Sequence, residues 1–171
     1  MTALLKPRDG YRGYLVSRPV RGTAYPQRVQ NLVVREFARR HGFAYKLSVV
    51  EYAMPGSTMM LEQLLEELDA LEGVILFSAF ALPPARARRA AIVRRILAAG
   101  ATLGAALEDV VVRDAAGAET LEELLAVTAT LPATPFGGRY EKTGAPFALD
   151  PNGQALLAAS SAPGGPPPIE R

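Results

Sequence analysis

The tetrapeptide Val74-Ile75-Leu76-Phe77 is apolar at every position and ends at Ser78. A strand with one wet face alternates apolar and polar residues, whereas a short unbroken run fits a central parallel strand covered on both faces. Such a strand needs helices above and below the sheet, and the flanking sequence supplies them. Upstream, Ser57 or Thr58 stands where it can cap a helix whose Met60, Leu61, Leu64, Leu65, Leu68 and Leu71 form a wide apolar face, stopped by Glu72-Gly73. Downstream, Pro83-Pro84 opens a helix through Ala99. Its Ile92, Val93, Ile96 and Leu97 turn inward and its Arg86, Arg88, Arg89, Arg94 and Arg95 form a solvated face.

The rest of the chain repeats this alternation. Tyr14 to Ser17 reads as a first strand, followed by a loop and a helix with Pro26 near its first turn, Val29, Leu32, Val33 and Phe37 facing inward, and Gly42 at its end. Ala44 to Val50 reads as a second strand, Ala101 to Leu107 as a fourth and Val110 to Val112 as a short fifth. Thr120 and Glu123 have capping-box spacing for a short last helix. The order βαβαβαβ predicts a three-layer, doubly wound α/β fold with a mainly parallel sheet of flavodoxin-like strand order 2-1-3-4.

Beyond Leu131, proline and glycine interrupt every periodicity. The expected organisation is one α/β domain over residues 1–131 and a Pro/Gly-rich, extended or disordered tail over 132–171, in which Phe136, Tyr140 and Phe147 can anchor the arm to the domain or to a neighbouring subunit. At 171 residues with 49% hydrophobic content the chain supports one substantial core. The absence of cysteine excludes disulfides, thiolate metal sites and cysteine nucleophiles, and fits a cytoplasmic location. No apolar run approaches the ~20 residues of a membrane span. Lys+Arg of 19 against Asp+Glu of 17 is close to balance, so a nucleic-acid partner is not expected on charge grounds.

In a doubly wound sheet, ligands gather at the carboxyl ends of the strands where the strand order reverses. Here that switch point lies between the first and third strands, and Ser17-Arg18 and Ser78 end them, with Glu51-Tyr52 and Glu108-Asp109 at the neighbouring ends. Arg18 and Arg21 are candidate anion ligands, or caps for loop carbonyls. Glu51 and Glu108 are candidate proton-transfer groups, since a carboxylate at a partly buried strand end can have its pKa raised toward neutrality; the alternative is an ion pair or a helix cap. Ser17, Tyr52 and Ser78 are candidates to orient ligand hydroxyls, and Gln27, Gln30 and Asn31 at the start of the first helix to read sugar hydroxyls, Gln27 and Asn31 sharing a face. His41 falls at the far end of the first helix, which argues against a Ser-His-Asp triad. With no G-x-G-x-x-G, no Walker sequence and no His or Cys cluster, neither a nucleotide cofactor nor a metal is expected.

These residues carry two resemblances. A Tyr-x-x-Ser strand, Gln27 in the first helix, an acidic residue with a glycine-serine turn over Glu51 to Ser57 and a leucine-rich helix resemble the catalytic domain of resolvase and invertase serine recombinases over residues 11–110. The chain departs from that pattern. Ser17 comes one position early, Leu15 and Val16 occupy the strand interior where the family has an arginine, and Ala79-Phe80-Ala81-Leu82 replaces Asp-Arg-Leu after the third strand. The second resemblance is to sporadic carbohydrate cluster proteins, over residues 10–112. It rests on Gly10-Tyr11-Arg12-Gly13-Tyr14 with Ser17-Arg18-Pro19, on Gln30-Asn31, on Tyr45-Lys46-Leu47-Ser48, on Glu51 to Gly56, on Met59 to Leu65 and on Ser78 with Leu82-Pro83. It implies a resolvase-like domain without its DNA-binding part, working among genes of unusual carbohydrate biosynthesis, and a homo-oligomer.

Three functions follow as expectations. The first is an isomerase or lyase acting on a sugar phosphate or nucleotide-sugar by acid/base chemistry, with Glu51, Glu108, Ser17 and Tyr52 as catalytic groups and Arg18, Arg21, Gln27, Asn31 and Ser78 as substrate ligands. The second is a non-catalytic binding or scaffold protein of the same pathway. The third is a degenerate recombinase-like protein that acts on DNA.

Overall fold

Residues 8–130 are described by the computed structural model of the chain. The expected domain boundary at 131, the tail and its three aromatics lie outside the described residues. Five strands, β1 (Tyr11–Val16), β2 (Tyr45–Glu51), β3 (Gly73–Leu76), β4 (Thr102–Ala105) and β5 (Val110–Val112), form one sheet in the order β2-β1-β3-β4-β5. The first four are parallel and β5 returns antiparallel to β4. All four residues of β3 are buried, as its unbroken apolar run requires.

Helices α1 (Gln27–Arg40), α2 (Met59–Glu66), α3 (Arg86–Ala98) and α4 (Ala115–Thr130) complete the layers. The step from β1 to β2 runs one way across the sheet, and those from β2 to β3 and β3 to β4 run the other, so right-handed crossovers put α1 on one face and α2 and α3 on the opposite one. α4 packs beside α3. Phe37 of α1 lies against Gly104 of β4, where an added Cβ would stand 2.6 Å from the ring. Glycine at 104 is what lets α1 settle on the sheet.

Three local expectations are corrected. The inward stripe of α1 is Gln30, Val34, Phe37 and Ala38, while Val29 and Leu32 are exposed. The expected stripe was displaced because a glutamine is buried: Gln30 Oε1 accepts from the Val16 amide at 3.0 Å, and its Nε2 donates to the carbonyls of Val16 at 2.8 Å and Tyr25 at 2.9 Å. α4 begins five residues before the Thr120–Glu123 box, because Asp114 accepts from the Gly117 amide at 2.9 Å. At the start of α2 neither Ser57 nor Thr58 caps the helix; the Glu51 carboxylate does.

Candidate functional site

The carboxyl rim of the sheet is organised around Glu51. This last residue of β2 is fully buried and its two oxygens meet five donors: Ser57 Oγ at 2.7 Å, the Tyr52 amide at 3.0 Å, Tyr14 Oη and the Met60 amide at 3.1 Å, and the Leu61 amide at 3.2 Å. Met60 and Leu61 are in the first turn of α2, so the carboxylate occupies the helix N-terminus, where exposed amides and the helix dipole favour negative charge. Burial pushes the carboxyl pKa up, but the bonds from Ser57, Tyr52, Leu61 and Tyr14 outweigh it and hold the group below the usual carboxylate value. The expected rise toward neutrality is therefore a fall. Tyr14 moves the other way: burial first, then the charge of Glu51, raise its hydroxyl well above the usual phenol value, with Arg18 acting against them.

A second carboxylate ties the third strand to the fourth. Glu108 Oε1 accepts from Ser78 Oγ at 2.5 Å and its Oε2 accepts from the Ala79 amide at 2.8 Å. Ser78 is fully buried and also accepts from the Phe80 amide at 3.2 Å, at the start of a short 3-10 helix over Ala79–Ala81. It thus serves the turn, bonded on both sides and buried. Arg18 crosses between these two loops, donating to the Ser57 carbonyl at 3.2 Å and the Ala81 carbonyl at 2.6 Å.

Two hollows among the described residues flank these locked groups. A cleft of about 830 Å³ runs beside the 3-10 helix toward α3 and α4, and Arg18, Arg21, Thr58, Phe80, Arg88 and Arg89 are on its wall. Arg21 and Gly22 both have positive φ, 50° and 80°, in a tight turn closed by paired backbone bonds between Val20 and Thr23. The turn aims the Arg21 guanidinium over the Phe80 ring, 5.0 Å from its centroid. Arg88 donates to Thr58 Oγ1 at 2.6 Å and lies 3.6 Å from Glu62. Arg89 is bound more firmly, to both oxygens of Glu122 at 3.0 and 2.8 Å. The α3 arginines expected on a solvated face therefore include two that shape the cleft; their i, i+1 adjacency gave no sign of it, since the wall is completed by α4.

The second hollow is a groove of about 630 Å³ between α1 and the edge strand β2, and it takes Gln27 and Asn31. They share a face as expected, but on the opposite side of the sheet from Arg18 and Arg21. β1 divides the rim, because successive residues point to opposite faces. Ser17 is exposed on the α1 side, where its hydroxyl accepts from Gln27 Nε2 at 3.3 Å. Tyr52 is half exposed and lines neither hollow. The residues of the expected constellation are thus divided between two hollows, with Glu51, Glu108 and Ser78 held between loops of the rim and Tyr52 outside both.

A scan against protein-family models finds no match, and a search of curated proteins finds none. Among solved structures the chain is similar to a resolvase family site-specific recombinase from Streptococcus pneumoniae, with 14% identity, a TM-score of 0.51, and coverage of 70% of this chain and 88% of that one. The chain has a resolvase-type fold. It is also similar to the N-terminal catalytic domain of TP901-1 integrase, with 13% identity, a TM-score of 0.47 and coverage of 69% and 94%. The observed sheet order β2-β1-β3-β4-β5 and its mainly parallel strands agree with the sequence-based expectation of 2-1-3-4. Among the described residues no helix is long and apolar enough to cross a membrane, and no three His, Cys, Asp or Glu residues group as metal ligands.

Proposed function

We propose that this resolvase-type domain is a binding protein for a phosphorylated small molecule of the sugar-phosphate or nucleotide-sugar class, held in the cleft beside Arg21 and Arg88. The carrying observation is the contrast between the rim's carboxylates and its arginines. Glu51 has five donors around it and Glu108 two, whereas among the described residues Arg21 has no carboxylate partner and Arg88 reaches Glu62 only at 3.6 Å. A base must be free to reach a substrate proton, and the oxygens of both carboxylates are occupied by amide and hydroxyl donors; Glu51 is in addition held below the usual carboxylate value. Guanidinium groups on an open wall suit phosphate. Arg21 at φ 50° supports the same reading, because a residue kept in the left-handed region without being glycine often marks a functional constraint.

The reading sets the carbohydrate-pathway kinship in its non-catalytic form: Glu51 and Glu108 build the rim, and Arg18 braces it. It extends to a cytoplasmic, self-associating protein whose domain ends at residue 131. A thermal-shift screen of sugar phosphates and nucleotide-sugars tests it, since a ligand at a hundred times its Kd stabilises the native state by about 2.7 kcal/mol. Arg21→Ala with Arg88→Ala abolishes the shift; a shift that survives both substitutions contradicts the assignment.

A second reading takes its support from exposed Ser17, whose hydroxyl meets Gln27, on a fold shared with a site-specific recombinase. It makes the chain a DNA-acting recombinase relative. Duplex binding that weakens steeply with salt in an electrophoretic shift assay favours it, and no retardation at low salt removes it.

A further inference from the structure

We infer that the groove between α1 and β2 is a second, independent site, and that it takes a polyhydroxylated bisphosphate. Arg28 and Arg35 stand seven residues apart on α1, two turns and about 10 Å along one face. Lys46, second in the facing strand, lines the end of the groove to which α1 descends and is paired there with Asp9 at 2.6 Å, so the two arginines are the anion ligands argued for. The lining contains no carboxylate. Glu36, the acid next in sequence, is engaged by Arg39 at 2.7 and 2.8 Å, and Arg28 and Arg35 have no ion pair or hydrogen bond among the described residues. Two guanidinium groups without partners among the described residues face one hollow, and each presents a planar fork of donors that suits a phosphate.

Between the charges the wall changes character. Asn31 Oδ1 accepts from Tyr45 Oη at 2.7 Å and from Ser48 Oγ at 3.3 Å, and those two hydroxyls are 2.7 Å apart. Gly13 makes room for this network, since a Cβ there would stand 2.2 Å from Ser48 Oγ. The Asn31 amide nitrogen has no partner among the described residues, so a donor is left at mid-groove with hydroxyls beside it. Anion ligands at both ends and neutral hydrogen-bonding groups between them match a hydroxylated carbon chain phosphorylated at each end. A single nucleic-acid strand fits less well: such sites use stacked aromatic side chains, and Tyr45, the aromatic in this wall, is half buried and holds Asn31 with its hydroxyl.

The test is calorimetric titration of the full chain with a hexose bisphosphate, a hexose monophosphate and a single-stranded oligonucleotide. The bisphosphate is expected to bind at least tenfold more tightly than the monophosphate. R28Q with R35Q abolishes that preference, and R21A with R88A in the cleft on the other face leaves it intact, so this site and the cleft fail separately. Both groove arginines are exposed and glutamine keeps their helix propensity, so the variants are expected to melt with the wild type. Equal affinity for the two sugars, a preference that survives R28Q with R35Q, or tighter binding of the oligonucleotide overturns the inference.

Discussion

Tyr14 donates its hydroxyl to Glu51 at 3.1 Å inside the sheet's carboxyl rim, joining β1 to β2 through two side chains that are both fully buried. Replacing the acid by its amide, Glu51→Gln, puts an NH₂ among five donors and removes the charge that the first turn of α2 faces. We expect a loss of about 3 kcal/mol in urea unfolding. Arg18→Ala, with its two carbonyl bonds lost, is expected to cost less, about 1 kcal/mol.

The same carboxylate makes stability depend on acid. Glu51 titrates below its ordinary value of 4.5, so the unfolded chain takes up its proton first as pH falls. Its contribution is complete above about that value and is lost as pH drops through the lower, folded one. Glu122, held down chiefly by its bond to Arg89, acts in the same direction. Melting temperature measured from pH 7 downward is expected to fall steeply only below about pH 4.5, and Glu51→Gln is expected to flatten part of that fall.

Gln30 offers a sharper contrast between polarity and role. Gln30→Leu fits the volume and suits a buried helix face, yet it strands the Val16 amide and two carbonyls without partners. The expected cost is about 3 kcal/mol with an unchanged denaturant slope. A substitution that proved neutral would mean that water satisfies those groups.

Gly104→Ala places a methyl group 2.6 Å from the Phe37 ring, which is fully buried and has little room to retreat. Destabilisation of about 1–3 kcal/mol is expected. Phe37→Leu in the same chain recovers part of it, and a double-mutant cycle in which the two changes simply add would contradict the contact.

Arg21→Asn separates binding from stability. Asparagine tolerates the left-handed backbone that Arg21 adopts, which offsets the lost contact with Phe80. Melting temperature is expected to stay within a few degrees of the wild type, while the ligand-induced shift falls at least tenfold in apparent affinity.

The sheet was legible because β3 declares itself: four apolar residues bounded by Gly73 and Ser78 have one comfortable place, and the alternation around them sets the rest. Glu51 and Glu108 were found as strand-end acids, but their partners were not. Five donors reach Glu51 from Tyr14, Tyr52, Ser57, Met60 and Leu61, and backbone amides leave no mark in side-chain pattern. This is why burial alone suggested a raised pKa. The capping box at Thr120 misled because its spacing is genuine while Asp114 reaches the chain's amides first. Arg88 and Arg89 were hidden in an arginine-rich run whose wall only α4 completes.

The most direct measurement is a calorimetric titration with UDP-glucose and a hexose monophosphate on the wild type, Glu108→Gln and Arg88→Ala, each shown to be folded. The account predicts saturable binding of at least one probe, nearly unchanged in Glu108→Gln and weakened at least tenfold in Arg88→Ala. Binding that is lost in Glu108→Gln and preserved in Arg88→Ala, or turnover of either probe that disappears with Glu108→Gln, would contradict a rim in which carboxylates build and arginines bind.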